Sequence, residues 1–220
     1  MEYSDTTVVI PAKDEPAVGE TIDKVLAALP GCNVIVVYLG SPPKIKQQDG
    51  VSLLEQKSKG YGAALKEGFR AVNTPVVGMI DADGSYEPMD LQKVVALVRN
   101  GADMAVGNRL TKENGKSMDT YIKIGNTLAS MTYRVLHGVG LHDTQCGLRA
   151  MKKSMLDKLQ LNENGWLLPP ELNAKVANRR FKIVDTPITY YARVGTSKLE
   201  GKFSYGFKLL AKTIEFRFKD

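Results

Sequence analysis

Short apolar runs alternate with stretches of helical spacing through the first half of this chain, and that alternation limits the fold more than any other feature. Residues 7–11, 34–38, 76–80 and 104–107 each read as a short buried strand. Between them, residues 19–29, 63–71 and 91–98 carry apolar side chains at helical spacing, as Ile22, Val25, Leu26 and Leu29 do in the first. Strand and helix in strict succession predict βα units around a mostly parallel sheet with helices on its faces. The second half changes character. A longer helix is expected over 121–136, broken by Gly138-Val139-Gly140, followed by a short strand at 148–151 and helices at 154–159 and 171–178. Extended segments at 181–184 and 188–191 flank Pro187, and here the sheet is expected to become mixed.

The length of 220 residues suffices for a single buried core. Residues 1–200 are expected to form one domain, and 201–220 a basic amphipathic helix with Phe207, Leu210, Ile214 and Phe218 on one side. Packing against its own domain is the expected role of that face, with membrane docking as the alternative. The N-terminus is acidic and has no apolar core, so it does not read as a signal peptide. No run approaches the roughly 20 apolar residues of a spanning helix, so any membrane contact is expected to be peripheral. Cys32 and Cys146 stand far apart with only two histidines in the chain, which argues against a zinc site and for a reducing, cytoplasmic setting. The net charge of +6 suits nucleic acid, anionic lipid and polyphosphate alike.

Chemistry enters at Asp81-Ala82-Asp83-Gly84, which follows the third apolar run. Strand alternation sets the two carboxylates on one side, and the glycine permits an immediate turn. Such hard oxygen ligands suit Mg2+ or Mn2+, which fill their remaining positions with water and substrate phosphate. The same aspartates could instead shape the turn or cap the helix that follows. Pro11 to Glu15 and Gly40-Ser41 follow the first two strands, so in a parallel sheet they open on the same edge as Asp83. Lys59-Gly60-Tyr61-Gly62-Ala63 leads into a helix N-terminus, a natural anion site, but matches neither a Walker loop nor a dinucleotide fingerprint. The acidic strand ends argue against nucleic acid as a partner.

Taken together, residues 8–15, 59–64, Asp81 to Pro88 and Gly107-Asn108-Arg109 resemble successive motifs of the family 2 glycosyltransferases. Asp143 to Arg149 and Arg193 to Leu199 are similar to the dolichyl-phosphate mannose synthase and glucosyltransferase branch. The resemblance implies a GT-A fold, a Rossmann-like α/β architecture with a mostly parallel mixed central sheet. It also implies a nucleotide-diphosphate sugar donor, a divalent cation, a polyprenyl or dolichyl phosphate acceptor and inversion at the sugar. Carried over, Pro11, Ala12, Glu15, Gly40, Ser41, Lys59 and Ala82 belong to the donor site, and Asp81 and Asp83 to nucleotide and metal. Arg109, Arg193, Ser197 and Lys198 match the contacts to acceptor phosphate and diphosphate, with Asp83, Arg109 and Arg193 the residues on which turnover rests. This enzyme is expected on the cytosolic face of a membrane.

An acceptor that is already a phosphate monoester presents an anionic oxygen at neutral pH, so no general base is required. Glu171 is the candidate base if the acceptor is instead a small hydroxyl or phosphoglycerate; its place after Pro169-Pro170 equally suits a helix first turn. A nucleotide-sugar-binding module without catalysis is the third reading. Departures from the family bear on it: Tyr38-Leu39 replaces an acidic pair, Lys13 an aromatic residue, and Ser85 a glutamine that would help hold the metal. The Gln145-Cys146-Gly147 spelling leans towards a uridine donor, with Cys146 itself a packing residue. Trp166 is expected either to pack at the acceptor mouth or to be buried.

Overall fold

The computed structural model describes residues 2–111, 114, 118, 120–192 and 202–218. At its centre lies β1 (Thr6–Ala12), buried along nearly its whole length. It pairs in parallel with β2 (Asn33–Tyr38) on one side and β4 (Val76–Met79) on the other. A strand flanked on both edges and covered on both faces has no side facing water, which its Val8-Val9-Ile10 run satisfies. Beyond β2 comes β3 (Val51–Glu55), and beyond β4 come β6 (Arg149–Lys152), β5 (Met104–Asn108) and β7 (Ile183–Pro187). All neighbouring pairs are parallel except those of β6, which runs against both β4 and β5.

Two strand expectations are corrected. β3 is absent from the sequence reading because Val51-Ser52-Leu53-Leu54-Glu55 forms a sheet edge and leaves most of its side chains partly in water, so it lacks a sustained apolar run. The last extended segments shift: β7 covers 183–187, and 188–191 contributes only an isolated bridge between Tyr86 and Tyr190. Pro187 pairs with Asn108, the last residue of β5, and the Ile188 amide still donates to the Asn108 carbonyl at 3.1 Å.

Helices α1 (Val18–Ala28), α2 (Tyr61–Ala71) and α3 (Leu91–Arg99) connect the parallel strands and bury one apolar stripe each, such as Leu91, Val94, Val95 and Val98 in α3. A 3-10 turn, Pro88–Asp90, precedes α3, with the Glu87 carboxylate accepting from the Met89 amide at 3.2 Å. The second half adds α4 (Thr120–His137), the single turn α5 (Lys153–Leu156), α6 (Leu168–Asn178) and α7 (Lys202–Phe218).

The α7 packing expectation is overturned. Leu209, Thr213 and Phe216 face inward, whereas Phe207 and Phe218 stand 77% and 80% exposed, with Leu210 and Ile214 also in solvent. This helix carries apolar residues on two faces, and periodicity alone cannot say which one packs. The Thr213 hydroxyl is accommodated inside because it donates to the Leu209 carbonyl at 2.8 Å.

Candidate active site

The carboxyl ends of β1, β2 and β4 open on one edge of the sheet. Because β6 is antiparallel, the segment leading into it arrives at that same edge, with Arg149 opposite Met79. A cavity of about 520 Å³ lies there. Pro11 to Glu15 form its wall after β1, Leu39 after β2, and Asp81, Ala82 and Asp83 after β4. Lys59, Gly60 and Tyr61 at the start of α2, Gln56 and Trp166 complete it. The structure thus brings together Pro11, Ala12, Glu15, Lys59, Asp81, Ala82 and Asp83. Gly40 and Ser41 are not in the wall; Gly40, at φ +86°, makes the turn that leaves Leu39 there instead. Arg193, Ser197 and Lys198 lie outside the described residues.

Regular pairing of β4 stops at Met79, so strand alternation does not govern the aspartates and Ala82 shares the wall with them. Each carboxylate is instead aimed by a partner. The Tyr61 hydroxyl donates to Asp81 Oδ1 at 2.7 Å, and its ring stacks on Trp166 with centroids 4.4 Å apart. Burial, and then the neighbouring Asp81 charge, push the Tyr61 phenol well above its ordinary range, so it remains a neutral donor. Asp83 Oδ1 accepts from the Ser85 amide at 3.0 Å and from the Ser85 hydroxyl at 2.5 Å. Ser85 is fully buried and turned to Asp83. Standing where the family's glutamine would help hold the metal, Ser85 is here an orienting donor to Asp83. At Gly147, a Cβ would lie 2.2 Å from Asp81 Oδ2, so only glycine lets this segment lie against the carboxylate.

This donor set fits a hard divalent cation. Two carboxylates converge on the cavity, while no group of three or more His, Cys, Asp or Glu suited to a metal occurs among the described residues. Such a pair suits an ion that completes its shell with water and diphosphate, not one needing a full protein cage.

The glycine-rich approach to α2 has a use other than the anion site expected of it. Gly60 and Gly62 let the 163–165 backbone press against the helix start: a Cβ on Gly60 would meet the Asn164 carbonyl at 2.1 Å, and one on Gly62 the Glu163 carbonyl at 2.7 Å. The Ala63 amide donates to the Asn164 carbonyl at 3.0 Å, so protein already occupies part of this N-terminus. Glu171, 1% exposed in the first turn of α6, anchors the loop by accepting from the Asn162 and Glu163 amides, and it pairs with Lys175 at 3.2 Å. Gly62→Ala is expected to push the loop away, unstack Trp166 from Tyr61 and lower turnover about 100-fold, the scale of an ångström-sized misplacement. The emission of Trp166, the sole tryptophan, would report the change directly; an unaltered spectrum and rate would remove the link between loop and site.

Arg109 and Asp143, placed by the sequence on acceptor phosphate and in a family motif, face each other in the interior. Arg109 Nε and Nη2 donate to Asp143 Oδ2 and Oδ1 at 2.7 and 2.9 Å, and Nη1 to the Tyr86 hydroxyl at 3.3 Å. The guanidinium also lies 5.2 Å from the Tyr190 ring centroid. The Tyr86 oxygen accepts in turn from the Gly147 amide at 2.7 Å, which leads back to Asp81. As placed, Arg109 holds the loops behind the cavity together and is absent from its wall. Arg149, fully buried, donates to the Cys146 and Thr144 carbonyls and to Asn173 Oδ1. Residues 143–149 are thereby a scaffold, with Cys146 buried inside it. A lone arginine in a motif gives no sign of whether it meets phosphate or aspartate. The roles of Tyr61 and Gln56 were also unread; Gln56 Nε2 donates to the Gly60 carbonyl at 2.8 Å, and no local pattern announces such a contact.

The profile of glycosyl transferase family 2 matches residues 7–160, and the chain belongs to that family. It is 31% identical over 202 residues to a dolichyl-phosphate hexose transferase of Haloferax volcanii, covering 90% of this chain and 88% of the relative. A polyprenol monophosphomannose synthase of Mycolicibacterium smegmatis is 32% identical over 219 residues, covering 89% of this chain and 81% of its own length. In fold the chain is similar to glucosyl-3-phosphoglycerate synthase from Mycobacterium tuberculosis, solved with Mn2+, UDP and phosphoglyceric acid. That likeness has a TM-score of 0.74 at 17% identity and covers 97% of this chain and 78% of that one. The mixed seven-stranded sheet with flanking helices is the GT-A fold.

Proposed function

We propose that this chain is an inverting hexosyltransferase that moves a hexose from a nucleotide-diphosphate sugar to a polyprenyl or dolichyl phosphate. The observation that carries the reading is the convergence of the β1 end, Asp81 and Asp83 on one cavity in a chain of this family. The relatives' names supply the substrate class. Pro11, Ala12 and Glu15 serve the nucleoside, and Asp81 and Asp83 stand where Mg2+ or Mn2+ would be held. When bound, that ion neutralises the charge growing on the leaving diphosphate. Tyr61 and Ser85 keep the two carboxylates aimed, which lowers the reorganisation needed as the donor arrives. Arg109 and Asp143 are positioning residues, while Arg193, Ser197 and Lys198 keep the acceptor-phosphate role that the motif gives them.

A phosphate acceptor needs no base, and this agrees with how Glu171 is used: its oxygens are engaged by two loop amides and Lys175. Residues 1–200 form the catalytic domain in this reading, and the acceptor places the enzyme at the cytosolic face of a membrane. No helix among the described residues is long and apolar enough to cross one. Incubation with labelled UDP- and GDP-sugars, short polyprenyl phosphates and Mn2+ is expected to yield a lipid-linked sugar phosphate, and chelation to abolish it. Absence of product with every donor would sink the proposal; donor binding without turnover would point to an inactive binding module.

A further inference from the structure

Among the described residues, the large apolar side chains left in solvent concentrate on two neighbouring helices. Ile124, Leu128, Met131 and Val135 recur at helical spacing on the outer side of α4, each more than half exposed, Val135 at 85%. The four exposed apolar residues of α7 named above stand on the helix packed beside it. Exposed apolar residues gathered on two packed helices in this way mark an interaction site.

The two helices are joined, and they are joined to the active site. Ala129 of α4, Leu209 of α7 and Leu167 form one buried cluster, and Leu167 directly follows the cavity residue Trp166. The α4 hydroxyl of Ser130 meets that of Thr144 in the scaffold segment at 3.3 Å.

Charge identifies the occupant. Residues 122–137 of α4 contain Lys123 and Arg134 and no acidic residue. On α7, residues 206–218 hold Lys208 and Arg217 in solvent, and the one acidic residue, Glu215, pairs with Lys212 at 3.1 Å. Apolar stripes flanked by unopposed cations match the layering of an anionic bilayer, acyl chains beneath phosphate head groups. We infer that α4 and α7 together form a docking surface for an anionic lipid bilayer, placing the Trp166 side of the cavity next to the membrane. This rests on the polyprenyl-phosphate reading above and adds the surface by which the acceptor's membrane is met.

The test floats the full chain with phosphatidylcholine vesicles, with and without phosphatidylglycerol, at low and high salt. Two variants accompany it: Val135→Glu with Phe218→Glu, and Arg134→Glu with Lys208→Glu. The wild-type chain is expected to float with anionic vesicles only, and either variant to bind about tenfold less, as loss of apolar or cationic anchoring dictates. Unchanged thermal melts and unchanged transfer to a short polyprenyl phosphate in detergent would show that both variants are intact. Wild-type flotation equal to that of the variants, or none at all, overturns the inference. So does a dimer in sedimentation that Val135→Glu with Phe218→Glu dissolves while vesicle binding is absent, because a second copy would then be the occupant. Vesicle binding that follows the variants as expected, with no transfer to any lipid phosphate, would leave this surface standing and remove only the transferase reading.

Discussion

Asp143→Ala is expected to destabilise the fold by about 3–5 kcal/mol, the cost of stripping one partner from a buried ion pair. Asp143 is fully buried, and Arg109 is 8% exposed. The substitution leaves the Arg109 guanidinium facing a void, with the Tyr86 hydroxyl its remaining side-chain hydrogen-bond partner among the described residues, and it also removes the acceptor of the Arg109 and Gln145 amides. Arg109→Ala should cost a similar amount by stranding the carboxylate. A joint replacement, Arg109→Met with Asp143→Leu, should recover much of either loss, since apolar pairs often replace buried ions at little cost. Urea unfolding of the three variants checks this, and additive losses in the double variant would refute the pairing.

Acid should act on the same pair. Burial alone would raise the Asp143 carboxyl, but the Arg109 charge and the hydrogen bonds from Arg109 and the Gln145 amide outweigh it and hold it below the ordinary carboxylate value. A depressed folded-state value means that the pair's stabilisation is complete above the unfolded value, about 4, and is lost as pH falls through the lower folded one. The wild-type melting temperature should therefore drop below about pH 4, and that part of the drop should vanish in the Met/Leu variant.

The largest effect on activity is expected from Asp83→Asn, which should abolish metal-dependent transfer while leaving the melting temperature nearly unchanged. An amide oxygen can still accept from the Ser85 amide and hydroxyl, so the loop keeps its shape, but the negative charge is gone. Ser85→Ala supplies the graded comparison. It removes only the orienting hydroxyl, a change of the kind that weakens metal binding about 10–100-fold. Mn2+ titration followed by electron paramagnetic resonance separates the two, since it reads affinity independently of turnover. Full Mn2+ affinity in Asp83→Asn would take the metal away from this carboxylate.

The βα succession of the first half was legible because buried parallel strands must be apolar on both faces and their covering helices on one. Antiparallel strand β6 was legible as a strand from Leu148, Ala150 and Met151 despite the charged Arg149 between them, and its direction meets the expectation of a mixed sheet, whereas β7, where the mixing was expected, runs parallel to β5. Edge strand β3 was not, because a half-exposed strand relaxes the pattern that reveals buried ones. Pro11, Glu15 and Asp83 could be placed on one edge from strand direction alone, whereas Gly40 and Ser41 could not be told from Leu39, one turn residue away. The first-turn place of Glu171 was legible, but its hold on the 162–163 amides, like the uses of Arg109 and Gly62, stayed hidden for a common reason: each depends on a partner 9, 34 or about 100 residues distant in sequence, and local pattern carries no such information.

The reversed direction of β6 also bears on how the chain is made. In the sheet, β5 does not touch β4; it joins the rest only through β6, whose residues lie some forty positions later. A ribosome that has released β1 to β5 has therefore exposed a strand with no seat, and Arg109 at its end has no carboxylate to meet. Domains assemble as their segments emerge. Here the strand that closes the sheet, β6, directly continues the segment 143–148 that presses Gly147 against Asp81, so the cavity takes its shape only when the sheet does. A chain interrupted before residue 143 should accordingly yield an N-terminal fragment that aggregates through the open edge of β4 and binds no nucleotide sugar.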